Sequence, residues 1–249
     1  MSRQFGIEIE FCSDNHPDDV VDSIAKQGID CYGEDYNHEV RDYWKVITDS
    51  SIKGGSYGIE VVSPILELEP GCFNPIKRVL DGILYSDGWV DSSCGFHVHI
   101  GINGERPYEV LRFLRFYGKN EDLIDKLVSP DRRVDKGDYC QKIPIDFYNN
   151  IDSDLATFYN LVYRGRYYKV NTESITKYRT IEVRHCEGSL DYGKIVNWIK
   201  FVIELYEYCC GYLDNIIPRF RSVTSLQRVL AKDIDWRELV YDNRCNVSG

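Results

Sequence analysis

The stretch QFGIEIEFC, residues 4–12, alternates apolar and ionic side chains with a period of two. In a β-strand the two isoleucines and Phe11 would point to one face, and Glu8 and Glu10 to the other. This pattern predicts a strand that is buried on one face only.

Three later stretches repeat the alternation: GIEVV at residues 58–62, FHVHI at 96–100 and TIEVR at 180–184. Their polar positions carry Glu60, His97, His99, Glu182 and Arg184. An antiparallel sheet with one face in water shows such alternation routinely, so each strand taken alone is also compatible with an ordinary solvated face. Solvated faces usually favour Lys, Thr, Ser and Gln, however, and the residue types found here are those that bind metals and phosphates.

The remaining elements follow from apolar periodicity and from cap residues. Helices are predicted at residues 17–28, 74–84, 107–127 and 191–213, with one or two more within 226–241. Further strands are predicted at residues 58–66, 166–171 and 179–186, with a turn at 172–174. The aromatic and charged composition of residues 29–51 predicts one or two exposed strands with a turn near Asn37. A loop is predicted at residues 129–144.

The composition favours one folded domain over residues 1–249, because 43% hydrophobic and 13% aromatic residues suffice for a sizeable core. No stretch approaches the roughly 18–20 apolar residues of a membrane span, and the opening sequence lacks a secretory signal's apolar core. The nine cysteines are scattered without CxxC spacing. We therefore expect reduced thiols, a cytoplasmic location and no membrane partner.

The net charge is −10, from 40 acidic against 30 basic residues. A negative field of this size repels nucleic acid phosphates, so nucleic acid is not an expected partner. Most of the charge is expected to serve solubility.

If the four alternating strands share one sheet, their carboxylates would lie within about 10 Å of one another, at a cost of a few kcal/mol for each close pair. Hard divalent cations would offset this repulsion, and carboxylate oxygens with an imidazole suit Mg²⁺ or Mn²⁺. Glu8 and Glu10 have Cα atoms about 6.5 Å apart in a strand, so they could bind different ions of a pair. The candidate ligands on these strands are the carboxylates Glu8, Glu10, Glu60 and Glu182 and the imidazoles His97 and His99.

Arginines near the late strand complete a set of residues typical of phosphoryl transfer, since guanidinium groups and metal ions together stabilise phosphate charge. These arginines are Arg164, Arg166, Arg179 and Arg184. The sequence contains neither a GxxxxGK[ST] loop nor a kinase glycine-rich loop. A nucleotide would therefore have to be held by metals and arginines.

Four motifs in order resemble the amidoligase family of carboxylate-amine ligases, in the superfamily of glutamine synthetase and glutamate-cysteine ligase. They are FGIEIEF (5–11), DSS (49–51) with GIEVVSPIL (58–66), CGFHVHIG (94–101), and Asn171 with TIEVRHCEGSLD (180–191). The resemblance spans roughly residues 5–200.

The resemblance implies an α+β fold: a mainly antiparallel, curved β-sheet with helices packed on one face and the active site on the other, as in the glutamine synthetase catalytic domain. It also implies that ATP and Mg²⁺ (or Mn²⁺) are used to activate a carboxylate as an acyl phosphate. An amine then displaces phosphate to form an amide or isopeptide bond. The partners implied are a carboxylate and an amine substrate, each an amino acid, peptide or protein, and the oligomeric state stays open.

The resemblance implies that His99 lies near the phosphates and that the metal ligands are Glu8, Glu10, Glu60, His97 and Glu182. Arg184 corresponds to a phosphate-binding arginine, and Arg179 approximates an earlier arginine with a slip of one residue. The catalytic residues implied are Arg184, Arg179 and His99, and the nucleotide-binding residues are Arg184, Arg166, Asn171 and His99.

Several assignments stay open in the sequence. Glu67 or Glu69 could supply a further carboxylate, or both could be solvated surface residues, and Asp49 could lie near a metal or only in a turn. His185 is expected on the apolar face as a structural histidine. A metal-dependent hydrolase that uses His97 and His99 is the rival function, to be separated by zinc against magnesium dependence. A binding module without catalysis is disfavoured because all four motifs keep their reactive residues.

Overall fold

A computed structural model describes residues 2–133, 140–163, 165–211, 216–230 and 233–239. Its strands are Gln4–Ser13 (β1), Cys31–Gly33 (β2), Trp44–Thr48 (β3), Tyr57–Val62 (β4), Leu66–Glu67 (β5), Gly95–Gly101 (β6), Val170–Asn171 (β7) and Thr180–Glu187 (β8). Within the described residues they form one sheet in the order β2-β3-β4-β1-β6-β8-β7, and β5 also pairs with β1. All pairs are antiparallel except β2 with β3.

The longer helices are Pro17–Lys26 (α1), Asn74–Tyr85 (α2), Pro107–Lys119 (α3) and Tyr192–Gly211 (α9). Shorter helices are Glu121–Ile124 (α4), Pro130–Arg133 (α5), Ile145–Asn149 (α6), Phe158–Leu161 (α7), Ser174–Tyr178 (α8), Val223–Gln227 (α10) and Trp236–Leu239 (α11), with a 3₁₀ turn at Asp125–Leu127. The structure therefore confirms the α+β class with a mostly antiparallel sheet.

The apolar face of β1 lies in the core. Ile7, Ile9 and Phe11 are buried in one large apolar cluster together with the inner faces of α1, α2, α3 and α9. Both α1 and α2 carry a proline in the first turn, Pro17 and Pro75, where its fixed backbone suits the helix. The ionic positions of β1 are consequently left to the opposite face of the sheet.

The prediction of exposed strands within residues 29–51 is wrong for β3. Trp44, Lys45, Val46 and Ile47 are all buried, because β3 lies between β2 and β4 rather than at the edge of the sheet. The strand predicted at residues 58–66 breaks after Val62. There Pro64 cannot donate to a ladder, while the Ser63 hydroxyl accepts a hydrogen bond from Ile7 N at 2.9 Å.

Other boundaries also moved. The helix predicted at residues 107–127 ends at Lys119, where Asn120 leaves the helical conformation, and continues as α4 and the 3₁₀ turn. The strand at residues 166–171 shrinks to β7, and the turn predicted at 172–174 leads into α8. The predicted ends at Leu213 and Tyr241 lie outside the described residues. Among the described helices, none combines the length and apolarity needed to cross a bilayer.

Candidate active site

Strand register brings the ionic positions of β4, β1, β6, β8 and β7 next to one another. Because period-two side chains share a face, residues opposed across the ladders lie side by side on it. The opposed pairs are Glu60 with Glu10, Glu8 with His97, His99 with Glu182, and Asn171 with Glu182. All five predicted metal ligands therefore lie on one face of the sheet.

His97 lies at the centre of this group, with 2% of its side chain exposed. Its Nδ1 is 2.8 Å from Glu8 Oε2 and 3.6 Å from Glu182 Oε1, and its Nε2 is 3.4 Å from Glu10 Oε1. Both nitrogens of this imidazole thus face carboxylates. Nδ1 faces Glu8 and Glu182, and Nε2 faces Glu10.

His99 contacts the second oxygen of Glu8, with Nε2 3.0 Å from Oε1. Burial disfavours the charged form of Glu8, but the facing imidazoles of His99 and His97 outweigh it and hold the pKa of the carboxyl well below its usual range. Burial likewise opposes charge on His99, and Glu8 and Glu182 nevertheless raise its pKa. The pair favours an ionised carboxylate beside a protonated imidazole.

Glu182 is held by two donors. Asn171 Nδ2 donates to its Oε2 at 2.6 Å, and Arg184 Nη1 donates to its Oε1. Burial opposes ionisation of Glu182, yet Arg184 and then His99 lower the pKa of its carboxyl. Asn171, predicted from the resemblance to bind nucleotide, therefore contacts a predicted metal ligand directly.

Glu60 is buried and lies beside two other carboxylates, Glu10 and Asp49. Among the described residues, its carboxylate makes no hydrogen bond and no ion pair, while Glu10 Oε2 accepts a hydrogen bond from Gly95 N at 2.5 Å. Burial raises the pKa of Glu60 well above its ordinary value, and the charges of Glu8, Glu10 and Asp49 raise it further. The charge of Arg184 acts in the opposite direction and does not offset these effects.

Two groups have the spacing that a cation needs. In one, ligand atoms of Glu8, His97 and Glu182 lie within 4.8 Å of one another, and in the other, those of Glu10, Asp49 and Glu60 do. Oxygen-rich donors with at most one imidazole fit Mg²⁺ or Mn²⁺. Glu8 and Glu10 fall into different groups, as the strand spacing predicts for ligands of two ions.

These groups form one side of a cavity of about 1320 Å³. All ten residues predicted for the site line it: Glu8, Glu10, Glu60, His97, His99, Arg166, Asn171, Arg179, Glu182 and Arg184. Cations from the described part of the chain lie in the same wall: Lys45, Arg132, Arg166, Lys177, Arg179 and Arg184. Among the described residues, the same wall carries seven carboxylates, so an anionic substrate would need bound cations in addition to these side chains; the carboxylates are Glu8, Glu10, Glu39, Asp49, Glu60, Glu173 and Glu182.

The arginines differ in how they are held. The Arg179 guanidinium lies 4.5 Å from the centre of the Phe158 ring, and Arg166 lies 5.3 Å from the centre of the Tyr167 ring. Burial opposes the charge of Arg184, but Glu182, Glu8 and Glu10 raise its pKa. Its buried Nε has no hydrogen-bond partner among the described residues, so this nitrogen is available to a ligand. Arg164 lies outside the described residues.

Sequence reasoning missed Lys45 and Arg132. Lys45 is buried, and its Nζ donates to Asn37 Oδ1 at 2.9 Å and Glu39 O at 2.8 Å. Arg132 Nη2 donates to Cys94 O at 2.7 Å, just before β6. The alternation in residues 44–48 could have indicated Lys45, whereas no local pattern points to Arg132.

The structure separates the residues whose roles the sequence left open into those at the site and those away from it. Asp49 joins the second group of possible ligands. Glu67 and Glu69 are exposed outside the cavity, and Glu67 accepts a hydrogen bond from the Ser2 hydroxyl at 2.6 Å. His185 is fully buried on the apolar side of β8, as expected for a structural histidine. His38, which had no predicted role, lines the cavity.

A comparison with known protein families identifies the family of this chain. Residues 1–206 match the profile of a family described as "Putative amidoligase enzyme". The chain belongs to this amidoligase family. The match contains every residue of the cavity cluster, and membership indicates a ligase-type enzyme whose substrates are joined through an amide bond. A search of curated proteins found no match to this amidoligase.

Proposed function

We propose that the protein is a carboxylate-amine ligase that uses ATP and Mg²⁺ (or Mn²⁺) to form an amide or isopeptide bond through an acyl phosphate. The observation that carries this proposal is the buried, unpartnered Glu60 carboxylate beside Glu10 and Asp49, in a cavity whose wall is rich in arginines. Carboxylates gathered in this way bind divalent cations, and arginines bind the phosphates that such cations accompany.

The metal-binding roles are divided between the two groups. Glu8, His97 and Glu182 would hold one ion, and Glu10, Asp49 and Glu60 the other. When bound, the ions neutralise charge on the phosphate oxygens. Asn171 and Arg184 orient Glu182 through its two oxygens, which fixes the direction in which the carboxylate faces its ion.

The cations of the cavity would act on the reacting groups. Arg184, Arg179 and Arg166 bind phosphate and carboxylate oxygens, and His99 keeps a positive charge beside them. A substrate carboxylate oxygen attacks the γ-phosphorus, and the bond from that phosphorus to ADP breaks. The amine nitrogen then attacks the acyl carbon, phosphate leaves, and the nitrogen loses a proton.

The rival function is a zinc hydrolase. Such sites depend on several histidines, whereas the first group described here contains only His97 and the second contains none. The oxygen-rich composition of both groups favours the ligase.

The test uses the purified protein with ATP, a carboxylate pool and an amine pool, with Mg²⁺ or Zn²⁺. Phosphate release is followed together with amide products by mass spectrometry. We expect release that needs Mg²⁺ and both pools, and a loss of at least about 100-fold in Glu10→Gln, since it removes a ligand.

Glu69→Gln is the matched control, because it removes one glutamate charge from the exposed surface. It should keep wild-type release. Equal release by Glu10→Gln and the wild type, or ATP-independent cleavage that needs zinc, would contradict the ligase proposal.

A further inference from the structure

A third group of potential metal-binding side chains lies next to the carboxylate cluster and is not used by the proposed reaction. Cys12 follows Glu10 by two residues on β1, and Cys94 comes immediately before β6. Asp91 lies in the turn that leads to Cys94. Ligand atoms of these three residues lie within 4.8 Å of one another.

The distances within this thiol group fit a tetrahedral zinc ion. The two sulfur atoms are 3.6 Å apart, and Cys94 Sγ is 3.7 Å from Asp91 Oδ1. With Zn–S bonds of 2.3 Å, a tetrahedral site places sulfurs about 3.8 Å apart, and a sulfur and an oxygen about 3.6 Å apart. Two thiols in van der Waals contact also have sulfur atoms about this far apart. The carboxylate is therefore the ligand that distinguishes a metal site from two packed cysteines.

One oxygen of the Asp91 carboxylate is held by neighbouring donors, and the other borders a small space. Asp91 Oδ1 accepts hydrogen bonds from Ser93 N at 2.7 Å and from the Ser93 hydroxyl at 2.6 Å, which fixes the group in one orientation. Gly54 is close by, and a Cβ there would lie 2.6 Å from Asp91 Oδ2 and would overlap Cys12 Sγ. The glycine therefore preserves a small space that both atoms border.

The three ligands differ in their access to solvent. Both cysteines are fully buried, whereas Asp91 is exposed. An ion could therefore enter from the Asp91 side and still be held by two buried sulfurs. Soft thiolates select zinc over magnesium, so magnesium at the carboxylate groups would not displace zinc from this group.

We propose that Cys12, Cys94 and Asp91 form a separate thiolate site for Zn²⁺, with the fourth position open to water. On binding, each thiol releases its proton to solvent and each sulfur forms one bond to zinc. The site also touches the backbone that positions the carboxylate cluster. Cys94 O accepts from Arg132, and the next residue, Gly95, donates its N–H to Glu10.

The test measures zinc binding directly, on protein reduced and stripped of metal. Titration with Zn²⁺ and with Co²⁺ is followed by calorimetry and by absorption, because a thiolate site gives cobalt a sulfur-to-metal charge-transfer band and a tetrahedral spectrum. We expect one thiolate-bound ion per chain, and an affinity lower by about 100-fold or more in Cys94→Ser.

Cys31→Ser is the matched control, since Cys31 is another buried thiol, away from this group. It should bind as the wild type does, and Glu60→Gln should keep the cobalt thiolate band. If Cys94→Ser fails to fold, Asp91→Asn on the exposed side tests the same site and should weaken cobalt binding by at least about 10-fold.

Two outcomes would overturn the proposal. One is a cobalt spectrum without a thiolate band, or a zinc affinity unchanged in Asp91→Asn. The other is loss of zinc binding in Glu60→Gln but not in Cys94→Ser, which would assign the ion to the carboxylate groups. A protein that lacks the zinc site can still be a magnesium-dependent ligase, so this failure is distinct from failure of the proposed function.

Discussion

Two buried polar groups lie on opposite faces of β8 and are built in contrasting ways. On the cavity face, Glu182 belongs to the carboxylate cluster, which includes the unpartnered Glu60. On the helix face lies a core network of five side chains: Tyr117, Glu121, Asp125, Lys169 and His185. Neighbouring residues of one strand thus serve two different purposes.

Most polar atoms of the core network have partners within the network, the exception being His185 Nε2, which lies close to Asp125 without hydrogen-bond geometry. Lys169 Nζ donates to Glu121 Oε1 and to Asp125 Oδ1, each at 2.7 Å. His185 Nε2 lies 2.8 Å from Asp125 Oδ1, and its Nδ1 lies 2.9 Å from the Tyr117 hydroxyl. A network with these contacts can stabilise a fold, whereas a cluster that leaves a carboxylate unpartnered needs something from outside the chain. This contrast is what points to the cavity face as the functional one.

The largest effect is expected from Lys169→Met, which removes the cation of the core network. The change leaves Glu121 and Asp125 buried without their shared cation, and we expect the free energy of unfolding to fall by about 3–5 kcal/mol. Urea denaturation followed by circular dichroism measures it. Added Mg²⁺ should not restore the loss, because the network faces the helices.

The matched control is Lys177→Met, which removes the same side chain from an exposed position on the cavity wall. Its stability should stay within about 0.5 kcal/mol of the wild type. An equal loss in both variants would show that the core network is not special.

Low pH should destabilise the core network selectively, because the folded protein keeps His185 neutral. Burial lowers the pKa of His185 to about 4. The unfolded chain therefore takes up the proton first, near its ordinary value of 6.5, so this stabilisation is complete above about pH 6.5 and is lost as the pH falls towards 4. It amounts to about 3 kcal/mol.

The measurement is the unfolding free energy of the wild type and of His185→Gln from pH 4 to 9. Between pH 4 and 6.5 the wild type should lose about 3 kcal/mol more than the variant. Between pH 7 and 9 the two curves should run parallel. Parallel curves over the whole range would mean that His185 is not a buried neutral imidazole.

The alternating strands were predictable because a period of two fixes which face a side chain takes. That rule placed Glu8 and Glu10 on one face of β1, and His97 and His99 on one face of β6, whereas a face common to the strands depended on the hypothesis that they share one sheet. The strand order was not predictable from local pattern, because pairing joins residues far apart in sequence. The burial of β3 between two neighbours, and with it the cavity position of Lys45, depends on that order.

Contacts that depend on a single hydrogen bond between residues far apart in sequence were also not predictable. Arg132 reaches the site because it donates to Cys94 O across 38 residues, and no spacing encodes that bond. Cys12 and Cys94 are 82 residues apart and lack CxxC spacing, so counting cysteines predicted only scattered thiols. The ladder of β1 with β6 brings them together.

The smallest expected effect has the opposite sign to the others. Glu60→Gln removes a buried charge that burial and neighbouring carboxylates disfavour, so the metal-free variant should be more stable than the wild type by about 1–2 kcal/mol. Mg²⁺ should raise the melting temperature of the wild type, because it binds the folded chain, and should raise that of Glu60→Gln much less. Glu67→Gln, an exposed glutamate, should respond to Mg²⁺ as the wild type does. If Glu60→Gln were destabilising in chelator and Mg²⁺ stabilised it as much as the wild type, Glu60 would be an ordinary structural carboxylate, and the contrast between the two faces of β8 would no longer indicate function.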